Sequence, residues 1–304
     1  MEPNAPRCDR TITPEEAHEL RAIVAALPDG ATLCFAPGRY PARLLLARSI
    51  GLRGLGDGPG AVILDGEHKG PVLHASGDGL RLAVTNLSIV GGSGGPSAPG
   101  GGLVVGGSGE VTVSNVVFSG NQSDGPGAQA LWASDARVSV DRCRIVGNRG
   151  RGGGAIVVQR GPLAIRDSLL EGNAGPNPVV RAANATVERS TIVAASGAPA
   201  LLLASGSISD SIVVAPSGAL AGDAPGKISI ARSVLAGAAS GFADRGGNRV
   251  VDPAAPIFAG SGSEPFAPAP ASPAIGLSSP PAGVLDLAGR PRRAGGAAGA
   301  LEAP

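Results

Sequence analysis

Short apolar runs broken by Gly and Asn recur along most of this chain, and they recur in register. The stretch VTNLSIVGG at 84–92 realigns with VSNVVFSGN at 113–121, VDRCRIVGN at 140–148 and IRDSLLEGN at 165–173. Weaker copies begin at Val187, Ile208 and Ile230, so the first residues stand 29, 27, 25, 22, 21 and 22 positions apart. A period in the twenties with variable insertions describes a solenoid coil with fixed strands and variable turns. Ahead of the copies lie further apolar runs, among them Leu103-Val104-Val105, Ala155-Ile156-Val157-Val158 and Leu201-Leu202-Leu203. These supply a second strand to each coil.

Stacked at the roughly 4.8 Å spacing of paired strands, each aligned position becomes a ladder. One column reads Ile89, Phe118, Ile145, Leu170, Ile192, Val213, Leu235, an apolar stack that faces the interior. Beside it run Leu87, Val116, Cys143, Ser168, Ser190, Ser211 and Ser233, mostly small side chains. The turn column holds Asn121, Asn148 and Asn173, whose amides can bond along the stack. The Leu-x-x-Leu-x-Leu pattern of leucine-rich repeats is absent. The fold predicted is therefore all-β, a right-handed parallel β-helix of about nine coils.

The ends differ from the middle. Thr13-Pro14-Glu15-Glu16 opens a helix with an N-cap hydroxyl, Pro at the first position and Glu three residues after the cap. Leu20, Ile23, Val24 and Leu27 follow at helical spacing and Pro28-Asp29-Gly30 stops it, which suits a short α-helix capping the first coil. From about Val251 a Pro-, Ala- and Gly-rich tail carries scattered apolar residues: Phe258, Phe266, Ile275, Leu285 and Leu287. It is expected to drape over the last coil as an irregular cap. The organisation is one domain: capping segment 1–30, β-helix 31–250 and tail 251–304.

Composition agrees with many strands joined by tight turns, since 49 Gly and 27 Pro punctuate Val/Ile/Leu runs. A net charge of +1 provides no bulk field for nucleic acid, and no apolar run is long enough for a membrane-spanning segment. The opening Met1-Glu2-Pro3-Asn4-Ala5-Pro6 has no signal-peptide pattern, leaving a cytoplasmic protein or a mature form with a new Met. Cys8 and Cys34 flank the capping helix, where they are either a bridge or two buried thiols; Cys143 falls in the small-residue column as a buried thiol. No metal-ligand spacing is present, so no metal and no cofactor is expected.

The repeat copies ending Gly-Asn, with Gly152-Gly153-Gly154-Ala155-Ile156 after one of them, resemble polymorphic outer-membrane protein repeats. Ala31-Thr32-Leu33 with Pro37-Gly38-Arg39-Tyr40 resembles the opening of a first coil in bacterial secreted or surface β-helix proteins of the pectate-lyase-like fold. The tail resembles the terminal signature of that family in Asp252-Pro253 with Phe258, Ser272-Pro273-Ala274-Ile275, Asp286-Leu287-Ala288-Gly289-Arg290-Pro291-Arg292 and Gly299-Ala300-Leu301-Glu302. The resemblance implies export to the cell envelope or outside it, and that favours the Cys8–Cys34 bridge. Such a bridge closes a loop of roughly 25 residues and adds about 3 kcal/mol.

Candidate chemistry sits in two places. Asp65, Glu67, His68 and Lys69, followed by His74, form the densest titratable set and include acid–base types. Lyases of this fold use an Arg or Lys base with calcium-binding acids, and hydrolases use clustered Asp residues; neither set is visible, so a solvated turn is favoured. The second place is the column Arg142, Asp167, Arg189, Asp210, Arg232, which alternates in sign from coil to coil. It suits a polar groove for an acidic glycan or, preferred, a ladder of exposed salt bridges each worth under about 1 kcal/mol. Few aromatic rings remain for sugar stacking. The expectation is a monomeric, non-catalytic exported or envelope protein that presents a surface to a polysaccharide or surface protein, with residues 93–102 and 122–129 as first contact loops. The alternative is a polysaccharide lyase or glycoside hydrolase acting on an acidic polysaccharide.

Overall fold

A computed structural model describes residues 7–95, 99–195, 197–222, 226–281 and 283–303. Its strands pair in parallel, coil upon coil, into one continuous wall. Three faces make each coil. Face A begins with the strands Ala31–Phe35 and Ile50–Gly54, face B with Gly38–Pro41 and Val62–Asp65, and face C with Leu44–Leu46 and Leu73–Ser76. Eight coils carry all three strands among the described residues. A ninth keeps Ile228–Ala231 and Val234–Ala236, and Phe242–Asp244 with Arg249–Val251 form a partial last rung.

Pairing on face B places the apolar column in register: Phe118 lies over Ile89, Ile145 over Phe118, and Val213 over Ile192. These residues are fully buried, as are Leu33, Leu52 and Val84 on face A and Leu73, Leu103 and Leu131 on face C. Period-two alternation explains this, because successive side chains point in and out and only a fully apolar inward set fills the bore.

The corner from face A to face B is a single residue with positive φ, repeated seven times: Asn86, Asn115, Arg142, Asp167, Arg189, Asp210 and Arg232, with φ between 47° and 55°. Asn and Asp tolerate this left-handed geometry, while each Arg is held there against its preference. The next position explains the run of serines. Ser168, Ser190, Ser211 and Ser233 are buried, and each Oγ donates to a carbonyl two residues back at 2.6–2.8 Å. Each Oγ also accepts the backbone N–H of the coil before it, as from Cys143 to Ser168 at 3.0 Å and from Ser168 to Ser190 at 3.2 Å. The kink leaves one amide per coil without a sheet partner, and a hydroxyl supplies it.

The opposite corner does the same with amides. Asn121 Nδ2 and its backbone N–H both donate to Asn148 Oδ1, at 2.9 and 3.0 Å, and Asn148 repeats the pair onto Asn173 at 2.9 and 3.1 Å.

At the N-terminal end the helical segment is split, with a 3₁₀ turn at Pro14–Glu19 and a true α-helix, α1, only over Leu20–Ala26. The Thr13 N–H donates to the Glu16 carboxylate at 2.9 Å, closing the first turn. Leu20, Val24 and Leu27 close the core above the first coil. Tyr40, fully buried edge-on to Phe35, donates to the carbonyls of Ala36 and Ile12 at 2.8 and 3.1 Å. Burial pushes its hydroxyl up to about 12.

The C-terminal tail corrects the expectation of an end cap. It turns back and lies along the outside of face B. Glu264 pairs with Arg144, Arg292 with Asp167, the Ala300 N–H donates to Thr191 Oγ1, and the Ser279 N–H donates to Asp210 Oδ1. Outward residues Leu169, Ile212, Val234 and Ala236 are buried for this reason, against Ile257, Ala267, Ala274, Ala298, Ala300 and Leu301. Leu285, expected as an anchor, is 39% exposed. The last rung is left open, and Val250, which continues the inward column beyond Leu235, is 61% exposed.

Candidate functional site

Asp65 ends a face B strand and is bound by Arg39 from the coil before; its Oδ1 accepts the Glu67 N–H at 2.8 Å. Glu67 and His68 both have positive φ in the turn that follows, and Lys69 Nζ pairs with Glu67 Oε2 at 2.9 Å. These contacts order an exposed corner. His74 is separated from them, because it points outward from face C between Leu45 and Val104.

The Arg/Asp column is also resolved, and its expected exposure holds for Arg142 and Arg232 and is corrected for Asp167, Arg189 and Asp210. Arg189 binds Asp167 at 3.1 Å and Arg232 binds Asp210 at 2.7 Å, but Arg142 pairs with its neighbour Asp141 at 3.2 Å. The side chains of Asp167 and Asp210 are only 6% exposed, because the tail closes over them. Arg292, itself fully buried, donates to Asp167 at 3.0 Å and to the carbonyls of Gly299 and Ala300 at 2.8 and 3.0 Å. Burial draws its guanidinium below the usual arginine range, opposed by Asp167, Glu302 and Asp286. The middle of the column, from Asp167 to Asp210, is therefore the seat of the tail.

The two contact loops lie against one another. Residues 96–98, the middle of the first loop, lie outside the described residues. The second is packed down: Ser123, Gly125, Gly127, Ala128 and Gln129 are buried, and Ser93–Gly94 pairs with Gln122–Ser123 as a small strand pair. A Cβ at Gly127 would collide with the Pro99 carbonyl, so glycine is what allows one loop to rest on the next. Together these loops roof the middle of face C, where the outward Val104 and Val157 are buried.

Cys8 and Cys34 form a disulfide, with Cα atoms 5.7 Å apart, on the outside of face A beside the first strand. Cys143 is a buried thiol that donates to the Asp141 carbonyl at 3.2 Å, and burial pushes it up to about 12.

Open concave surface remains at the two ends of face C. The larger cleft, about 490 Å³, lies between α1 and the first strand of that face. Arg21, Arg43 and Arg48 line it with Val24, Ala25 and Leu45, and Leu45 is 65% exposed. Arg43 is held by the Lys69 carbonyl at 3.2 Å and Arg48 by the Leu27 carbonyl at 2.7 Å. No carboxylate lines this cleft, and among the described residues none of the three arginines has a carboxylate partner. A second cleft of about 480 Å³ lies farther along face C, lined by Val157, Gln159, Arg160, Arg181 and Leu202 with Pro126 at its edge. Arg160 is committed to Asp135, whereas Arg181 has no carboxylate partner among the described residues. A third groove on face A mixes Arg53 and Arg81 with Asp29 and Glu110. The cap cleft leaves no mark in the sequence, because Arg21, Arg43 and Arg48 belong to no motif and come to line one surface only when the helix folds onto the coil.

Stacked three-strand coils with amide and hydroxyl ladders at their corners define a parallel β-helix repeat protein. A family profile described as "right handed beta helix region" matches residues 73–233, just over half of the chain, and the chain belongs to that family. Among curated proteins nothing matches. Among solved structures, an alginate lyase from Paenibacillus sp. str. FPU-7 is similar over 80% of this chain and 98% of its own, at 13% identity and a TM-score of 0.47. That likeness is too distant to bear on activity.

Proposed function

We propose that this protein is a non-catalytic β-helix of the cell exterior or envelope that binds an acidic polysaccharide, with the cap cleft as its recognition site. The observation that carries the reading is that Arg21, Arg43 and Arg48, with no carboxylate partner among the described residues, line one concave surface with an exposed leucine. Guanidinium forks match carboxylates bidentately and stay charged at neutral pH, so they supply donors to an acidic sugar. Leu45 offers an apolar patch for the C–H face of a sugar ring. The Cys8–Cys34 bridge supports an oxidising location.

The test is calorimetric titration with a uronate polymer and with a neutral polymer of the same length. Binding to the first alone, weakened by salt and lost in the Arg21→Ala/Arg43→Ala/Arg48→Ala triple variant, is the expected result. Equal binding of the neutral polymer would defeat the acidic reading. Release of unsaturated uronate, followed by its ultraviolet absorbance, would defeat the non-catalytic one.

A further inference from the structure

We infer that face C carries a second acidic-sugar subsite at Arg181, and that the two clefts act together as a gauge of chain length. The inference rests on the acidic-glycan reading of the cap cleft and adds a second contact to it.

The geometry follows from the register. Outward positions on face C stack in one column: Leu45, His74, Val104, Trp132, Val157, Arg181 and Leu202. Leu45 belongs to the cap cleft and Arg181 to the second. Five coil steps separate them, and at about 4.8 Å per step that is roughly 24 Å. Between them the loops at 99–102 and 126–128 lie over Val104, so the two concave sites are distinct and share one side of the molecule.

The second site repeats the chemistry of the first. Arg181 points outward, exposed and without a carboxylate partner, beside the amide of Gln159 and the half-buried Leu202. Guanidinium, amide and apolar side chain provide the donors for a carboxylate and hydroxyls and a surface for a ring. Both clefts set guanidinium groups beside an exposed or half-exposed leucine, a pairing that matches the carboxylate and the C–H ring face of a uronate and that a peptide backbone does not repeat, so an acidic glycan is the occupant assigned. Two weak sites on a rigid scaffold bind a linked ligand far more tightly once it spans both, by a factor of about 100 or more. Below that reach an oligomer engages one cleft at a time.

The experiment uses the full chain and α-1,4-linked galacturonate oligomers of defined, increasing length, titrated by calorimetry. Affinity is expected to rise gently at first. It should then jump by about 100-fold, with one oligomer per protein, at the length whose reach first exceeds roughly 24 Å. Arg181→Ala should abolish the jump. Arg137→Ala, an exposed change on face A, should leave it in place, and both variants are checked for native melting. A smooth rise with no jump, or a jump that survives Arg181→Ala, would overturn the second subsite while leaving the cap cleft standing. No binding at any length would overturn both readings, and an equal jump with poly-glutamate of matched reach would overturn the glycan assignment.

Discussion

Replacing Asp167 by Asn tests whether the tail is held to the wall by a buried charge. Among the described residues Asp167 is the one carboxylate that Arg292 binds within 3.5 Å, and it also receives Arg189 at 3.1 Å. The Arg292 side chain has no exposed surface, and its next anion, Glu302, stands 3.6 Å away. Removing one partner of a buried ion pair costs about 3–5 kcal/mol because the other charge is left uncompensated. The carbonyls of Gly299 and Ala300 and the nearby Glu302 remain, which argues for the lower end, about 3 kcal/mol. That corresponds to an increase of about 100-fold in the population with the tail open. Trypsin reports it directly, since Arg292 and Arg293 both lie in the docked segment. Where opening is fast relative to cleavage, the cleavage rate follows the open population. Asp167→Asn should therefore be cut there about 100-fold faster, while the strands of the solenoid keep their hydrogen-exchange protection. Asp135→Ala, which breaks the exposed pair with Arg160, should change stability by under about 1 kcal/mol. Equal and small effects of the two substitutions, with the tail still protected, would refute the argument.

Three further outcomes follow from the ladders and the cysteines. Ser190→Ala strands the buried Ser168 N–H and should cost about 1–3 kcal/mol in urea unfolding, with Asn148→Ala costing more because it removes the acceptor of both Asn121 bonds. Reduction of the Cys8–Cys34 disulfide should lower stability by about 3 kcal/mol and first loosen the cap, as seen by exchange in α1. Cys143, with its thiol pushed up to about 12, should stay protonated and unreactive toward thiol reagents at pH 8 in the native protein and react in full once unfolded.

Much of the fold was legible because a solenoid writes its architecture locally. The inward column from Ile89 to Leu235, the Asn corner and the αα-free middle all follow from side-chain period and spacing, which depend on neighbours one coil away. Even the left-handed corner had a signal, in Asn86 and Asn115 at the position later filled by Arg and Asp. The serine column had one too, although small size alone did not reveal that each hydroxyl serves a stranded amide.

The tail and the site were not legible in the same way. Phe258 and Leu285 look alike as apolar residues in an irregular segment, yet Phe258 packs against the wall and Leu285 faces solvent. A repeat specifies its contacts by period, whereas a non-repeating strand of Pro, Gly and Ala has none and must be placed by long-range docking. The outward face B column mixes apolar and polar residues from the start, Arg39, Ile63, Ser88 and Val117, so its later Leu169, Ile212 and Val234 did not announce a cover. The arginines of the cap cleft likewise come from a helix and from the loop ends of one coil, and only their packing makes them neighbours. The amino-acid sequence by itself thus determined the β-helix and its corners, because these rest on contacts one coil apart, whereas the Cys8–Cys34 pairing was settled only in the folded chain. The tertiary structure alone decided which charges are sealed beneath the tail and which remain open to a ligand, because burial depends on tail segments 69 to 125 residues away in the chain.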